Sequence, residues 1–330
     1  MRCKRRNNIP ECSQTVFFAV VTKVLFIGSK AIGLRSLEII HRLSPESISG
    51  VMTLDDSNDD RSVLGQFEMF CEENELNLSI VNTRYEADQA VRNVDPDICL
   101  VVGWYWLIKQ EILAVASMGF LGIHHSLLPK YRGSSPLVWS IINGDNQVGT
   151  TLFSFTEDMD DGPIWAQAEV DVEEIDDIAT LLKKLDHEVG VILENKWLGI
   201  LDGSSSSRLP DLSQSTFCDR RHPKHGQIDW SNSAKEVFNF IRAQTTPYPG
   251  AFSGFDGEKI LIWSSRMLEE TEDLPAGMIY ASESQLVVMC GNGTQLEILE
   301  WGRSVSERRD GSDFEAAVGE VFVEFLENEA

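Results

Sequence analysis

The stretch from Gly119 to Asp161 holds the residue types of acid–base chemistry. Leu121 to Ile123 reads as a short apolar strand and ends in two adjacent histidines, His124 and His125. A turn closed by proline, Leu127-Leu128-Pro129, leads into the basic loop Lys130-Tyr131-Arg132-Gly133. One helix and one strand later come Asp158, Asp160 and Asp161, with Asp160 36 residues after His124. A histidine at one strand end and a carboxylate at another can meet at the mouth of an open α/β sheet. Imidazole gains and loses a proton near neutrality. A carboxylate beside it orients the ring and stabilises its positive charge. Such a pair can take up or release a proton and steady a charge that develops beside it. His125 points to the opposite face if the strand continues, and it reads as structural. Ser126 and Arg132 either fix the loop or bind substrate. Asp158 and Asp161 flank the pair in a turn whose default reading is a solvated one.

The elements before this stretch read as an open α/β sheet. Lys23 to Gly28 is a buried strand, and Ser29 to Gly33 turns into a helix. The glycine spacing there is neither the dinucleotide fingerprint nor a phosphate loop, which excludes both on pattern. Ile48 to Leu54 is a second strand. The acids Asp55, Asp56, Asp59 and Asp60 after it lack calcium-loop spacing. They read as a solvated loop, with Asp60 or Ser62 capping the next helix. Leu76 to Val81 is a third strand. Asp95-Pro96-Asp97 then breaks the chain before the continuous apolar run Ile98 to Val102, a central parallel strand buried on both faces. It ends at Gly103-Trp104-Tyr105-Trp106-Leu107. Aromatics just past a central strand either stack on a flat ring ligand or pack under neighbouring loops.

Beyond the histidines, Pro136 to Ile142 is a helix, Gly149 to Phe155 a strand, Glu157 to Gly162 an acidic turn and Ile164 to Val170 a strand. Apolar residues from Ile178 to Leu193 follow helical spacing. Gly203 to Ser207 is the clearest linker. Ser233 to Arg242 is a short helix. Five short strands follow, at Ala251–Phe255, Lys259–Trp263, Gly277–Ala281, Gln285–Cys290 and Gln295–Trp301, and they suggest a small OB-like barrel. The expected division is an extension over 1–21, a catalytic domain over 22–202, a linker over 203–216, a barrel over 217–304 and an acidic tail over 305–330. Within that tail only Val318 to Phe325 is expected to be ordered.

Composition narrows the partners. The 330 residues carry 28 Lys and Arg against 52 Asp and Glu, a net charge of −24. Residues 251–330 hold 17 acidic against 5 basic residues. Nucleic-acid binders need a basic face to neutralise phosphates, so a small-molecule substrate fits better than RNA. The apolar run Val16 to Val21 is cut short by Lys23 and lacks a cleavage site, so it does not read as a signal peptide. No apolar run is long enough to span a membrane. Six scattered cysteines without a CxxC pair read as reduced thiols in a cytoplasmic protein with no metal site.

From Ile123 to Gly133 the chain resembles the core segment of the 10-formyltetrahydrofolate-dependent formyltransferases, N-x-H-x-S-L-L-P-x-x-R-G. Asp160-Asp161-Gly162 resembles the family's D-x-G turn. Gly226 to Ser231 and Ile241 to Phe252 are similar to the second-domain entry of methionyl-tRNA and amino-sugar formyltransferases. The resemblance covers about residues 22–302. It implies a mainly parallel, Rossmann-like formyltransferase sheet followed by an OB-like barrel. It implies His124 and Asp160 as catalytic residues and 10-formyltetrahydrofolate as co-substrate, held by Gly103, Trp104, Tyr105, Leu107 and Asp158. Ser126, Lys130, Arg132 and Gly133 are implied substrate contacts. The acidic charge favours a nucleotide-linked amino sugar as acceptor over methionyl-tRNA. Hydrolysis of the formyl folate and ligand binding without turnover stay open, as does a homodimer. One departure stands out: the family's asparagine falls at Gly122. Losing an oxyanion donor raises a barrier by about 2.7–4 kcal/mol in comparable sites.

Overall fold

The computed structural model describes residues 21–269, 272–282, 285–315 and 319–325. The expected extension over 1–21 therefore lies, but for Val21, outside the described residues. The first domain runs β1 (Val24–Gly28), α1 (Lys30–Leu43), β2 (Ile48–Leu54), α2 (Leu64–Glu73), β3 (Leu78–Val81), α3 (Arg84–Val94), β4 (Ile98–Val102), α4 (Gln110–Leu113), β5 (Phe120–His124), β6 (Arg132–Gly133), α5 (Pro136–Ile142), β7 (Gln147–Ser154), β8 (Ile164–Asp171) and α6 (Ile178–Leu201). Seven strands form one sheet in the order β3-β2-β1-β4-β5-β7-β8. The first five are parallel, and β7 and β8 run antiparallel to their neighbours.

Burial explains the strand readings. Every residue of β1 and β4 is buried, as central parallel strands between two helical layers require. On one face Phe26, Leu100, Leu121 and Leu152 pack against α1 and α6, where Leu37, Ile40, Leu193 and Trp197 are inaccessible or nearly so. On the other face Leu25, Ile27, Val101 and Phe120 pack against Ala87, Val91 and Ile112. The helix α3 is absent from the sequence reading. Thr83 caps it by accepting from the Glu86 amide, and only Ala87, Ala90 and Val91 of its eleven residues are buried. So small an apolar face leaves little periodicity to detect.

Of the acids after β2, Asp55 and Asp60 are exposed as read, but Asp56 and Asp59 are not simply solvated. Lys30 Nζ lies 2.6 Å from Asp56 Oδ2 and 2.9 Å from Asp59 Oδ2, and Arg61 pairs with Asp59 at 2.8 Å. Burial works against the Lys30 ammonium, but the two carboxylates overcome it and hold its pKa above the usual value. Val63, rather than Asp60 or Ser62, is the N-cap of α2, although Ser62 Oγ accepts from the Leu64 amide at 3.3 Å.

After α6 the chain continues through β9 (Phe217–Cys218) and α7 (Ala234–Arg242) into β10 (Ala251–Phe255), β11 (Glu258–Leu268), β12 (Ile279–Ser282), β13 (Gln285–Met289), β14 (Gln295–Gly302) and β15 (Arg309–Asp310). The last six form an antiparallel sheet, β10-β11-β14-β13-β12, with β15 beside β14. Its core gathers Trp230, Ile262, Val288, Ile298 and Trp301. Two segments differ from expectation. The stretch 203–216 is tied down: Arg208 pairs with Ile164 through both backbone bonds, and β9 pairs with β6. The segment from 305 onward joins the barrel well before Val318. Arg309 and Asp310 extend the sheet, and Phe314 packs edge-on against Trp301. Val321 bridges Met278 and Val323 bridges Gly254, so this segment links the two edges of the sheet, with Phe322 buried between them.

Candidate active site

The strand β5 ends at His124, and the antiparallel β7 beside it delivers the turn that carries Asp160. Asp160 adopts the left-handed conformation, φ +53°, which short polar side chains tolerate better than most. Its Oδ2 accepts from the Gly133 amide at 2.9 Å and stands 3.7 Å from His124 Nδ1. On the other side of the ring, His124 Nε2 lies 2.8 Å from the Tyr131 carbonyl oxygen. A carbonyl only accepts, so Nε2 carries the hydrogen and Nδ1 is the nitrogen presented to Asp160. Both side chains are largely covered, 10% and 19% exposed. A counter-charge therefore acts on the ring with little screening by water.

The loop from Tyr131 to Gly133 is held from outside the first domain's sheet. Tyr131 N donates to Thr216 Oγ1 at 2.8 Å, and Arg132 N donates to the Thr216 carbonyl at 2.9 Å. Gly133 has φ +112°, and a Cβ there would come within 2.5 Å of the Cys218 carbonyl oxygen, so no other residue fits. Arg132 is buried. Its Nε donates to the Met159 carbonyl at 2.7 Å, its Nη2 lies 3.5 Å from Asp161 Oδ2, and its guanidinium covers the Phe217 ring. Asp161 also accepts from Thr156 Oγ1. Ser126 is buried and donates to the Lys130 carbonyl at 2.7 Å, while Lys130 itself is exposed. Cys218 lies beside the Tyr131 carbonyl at 3.5 Å. Burial pushes its thiol up to about 11, with Asp160 and Asp219 adding to the effect, so it is no nucleophile at neutral pH.

The aromatic segment after β4 divides between the two readings given to it. Gly103 turns the chain at φ +69°. Trp104 and Trp106 meet edge to face at 5.5 Å and pack on the sheet, yet with Ile27, Met52, Val91 and Leu107 they also line a pocket. Tyr105 and Leu107 are 53% and 68% exposed. Gln110 Nε2 donates to Glu157 Oε2 at 3.2 Å, which ties this segment to the acidic turn bearing the exposed Asp158. Phe155 joins the two regions: its ring packs against the core below Trp104 and Trp106, and also against Phe153 and Leu128. No group of three or more His, Cys, Asp or Glu side chains among the described residues is placed to hold a metal ion.

Three contributors escaped the sequence reading. Thr216 and Phe217 lie more than 80 residues from the loop they brace, and only the β6–β9 pairing brings them there. Phe155 read as the end of a strand. Its role follows from Gly122, where a Cβ would lie 2.6 Å from Phe155 Cζ and nearer still to Cε1. Glycine at that place was the signal, although the residue filling the space could not be read from it.

Two family profiles match the chain: formyl transferase over residues 61–195 and formyl transferase, C-terminal domain, over residues 221–316. The chain belongs to the formyl transferase family. Among curated relatives it is 31% identical over 287 residues to the bifunctional polymyxin resistance protein ArnA of Wigglesworthia glossinidia brevipalpis. That match takes in 84% of this chain but 42% of the relative's length. Among solved structures it resembles WlaRD, a sugar 3N-formyl transferase with dTDP and 5-N-formyl-THF, at a TM-score of 0.64 and 19% identity, over 88% of this chain and 100% of that one. It also resembles an N-formyltransferase from Helicobacter canadensis in complex with folinic acid and dTDP-3-aminofucose, at 0.63 and 20%, over 84% and 98%. These two likenesses are likenesses of fold. No helix among the described residues is long and apolar enough to cross a membrane.

Proposed function

We propose that this formyl transferase moves the formyl group of 10-formyltetrahydrofolate to the amine of a nucleotide-linked amino sugar. The observation that carries the reading is His124, its Nε2 tied to the Tyr131 carbonyl and its Nδ1 facing Asp160 at 3.7 Å. The folate's flat ring belongs against Trp104 and Trp106, with Gly103, Tyr105, Leu107 and Asp158 around it. Its formyl carbon then reaches the end of β5. The neutral amine attacks that carbon, and the carbonyl electrons move onto oxygen. The Nδ1–H of a protonated His124 steadies the oxyanion, and Asp160 supplies the counter-charge. The adduct's ammonium proton passes by way of Asp160 to the folate N10. The C–N10 bond then breaks, leaving tetrahydrofolate and the formamide. Lys130 stands exposed at the loop apex, where an anionic acceptor can meet it. The sugar fold-relatives and the acidic surface both favour this acceptor class over tRNA.

Incubation with 10-formyltetrahydrofolate and dTDP-3-aminofucose, read by mass spectrometry, should give an acceptor heavier by one formyl group. A panel of other nucleotide-linked amino sugars extends the test. Formate release without any amine, and no formylated sugar from the panel, would replace this reading with hydrolysis.

A further inference from the structure

We infer that Phe155 fills the space a side-chain donor at position 122 would need, so that the side-chain hydrogen bond to the formyl oxygen falls to protonated His124. The inference rests on the folate reading above and deepens it.

Gly122 and His124 are two apart on β5 and so face the same side of the sheet. The Phe155 ring edge lies where a Cβ on Gly122 would project, with Cζ only 2.6 Å from that point. An amide at position 122 cannot be seated while that ring is there. Two hydroxyls near the strand end are already engaged. Ser126 Oγ donates to the Lys130 carbonyl, and Thr151 Oγ1 donates to the Ser126 carbonyl. His124 Nε2–H is held by the Tyr131 carbonyl. Of the His124 ring nitrogens Nδ1 remains, and it donates only when the ring is charged. The charged and titratable groups around it are Asp160 and Asp161 from the acidic turn, Arg132 from β6, Cys218 from β9 and His125, next to it in the chain. Arg132 lies against Asp161, which leaves Asp160 as the counter-charge for His124. Phe155 is thus a positioning residue: it makes recognition of the formyl group depend on a proton that a neutral amide donor would not require.

The probes are 10-formylfolate and folate, which share the ring and differ in the formyl group. Calorimetry on the full chain from about pH 5.5 to about pH 8.5 spans the titration of an imidazole. The ratio of the two affinities should fall by up to about tenfold per pH unit on the alkaline side. His124→Asn should flatten it. Gly122→Asn with Phe155→Ala should restore a neutral donor and also flatten it, while keeping the preference for the formylated ligand. Gly122→Asn should be less harmful to thermal stability in the Phe155→Ala background than alone. A pH-independent ratio in the unmodified chain, with folate bound, overturns this inference and leaves the folate reading standing. A single Gly122→Asn chain that matches the double variant overturns the role of Phe155. Failure to bind either ligand at every pH overturns the folate reading and this inference with it.

Discussion

His124 and His125 are neighbours in sequence, yet the two faces of one strand give them opposite conditions. His124 has a partner at each ring nitrogen and opens toward the acidic turn. His125 faces α6, where its Nε2 lies 3.7 Å from Asp186 Oδ1 and its Nδ1 is buried without a hydrogen-bond partner. Burial pushes the His125 imidazole down to about 4, and the neighbouring His124 adds to that. Burial likewise pushes the Asp186 carboxyl up to about 6, against the pull of Arg35. At neutral pH His125 is therefore an uncharged ring. The same His–carboxylate separation of 3.7 Å occurs on both faces, so distance alone does not tell the two pairs apart. What ties the second nitrogen sets the two rings apart: the Tyr131 carbonyl holds it in His124, and nothing does so in His125.

The largest effect that tests the contrast is on turnover. His124→Asn should lower kcat by about 10²–10⁴-fold while the chain stays folded, the range for losing a group that handles protons and charge in the transition state. His125→Gln should leave kcat nearly as it was and show its cost in stability instead. Steady-state kinetics beside circular dichroism separates the two. Similar losses of kcat at both positions would mean that the face of the strand does not decide the chemistry.

Much of this contrast was legible in the sequence, because it follows from local pattern. Alternation along Leu121 to His125 assigns the two histidines to opposite faces. The apolar run Ile98 to Val102 marks a central strand, and α5 spans Pro136–Ile142 as read. What was missed is non-local or weakly patterned. The amphipathic signal of α3 rests on two alanines and a valine. The Asp56 and Asp59 carboxylates looked solvated because their partner, Lys30, lies on another element. Thr216 reaches the site through a linker whose serines gave no hint of docking. The closing of the barrel by Val321 and Val323 depends on two edges far apart in the chain. Spacing can hold a motif, but it does not say which ring occupies the space beside a glycine.

A second, smaller effect concerns the pH dependence of stability. His125 drops from 6.5 to about 4 on folding, so its contribution is complete above pH 6.5 and is lost as the pH falls toward 4. Asp186 rises from 3.8 to about 6, so its contribution is complete below pH 3.8 and is lost as the pH rises through 6. Between about pH 4 and about pH 6 the two slopes oppose each other. Asp186→Asn should expose the histidine slope, so that stability falls on acidification by something on the order of 2–3 kcal/mol. His125→Gln should expose the carboxyl slope, with stability rising on acidification over the same window. Urea midpoints measured across this range read both. Parallel curves for the two variants would show that the pair is not what sets the slope.

The smallest effect sharpens the His124 side. Arg132 was read as either fixing the loop or binding substrate; its Nε holds the Met159 carbonyl and its Nη2 approaches Asp161, the two residues flanking Asp160. Its planar face also lies on Phe217, so one side chain clamps the acidic turn to β6 and β9. Lysine keeps the charge but has a single ammonium group, which cannot serve two partners in a fork or stack on a ring. Arg132→Lys should therefore cost about 0.5–1.5 kcal/mol of stability, the net scale of one lost hydrogen bond. Its kinetic mark distinguishes the two roles. A clamp that positions Asp160 should lower kcat with little change in the KM of the acceptor. A residue that grips the acceptor should raise that KM with kcat preserved. The second pattern would return Arg132 to the substrate and leave the Gly133 amide to fix the Asp160 carboxylate.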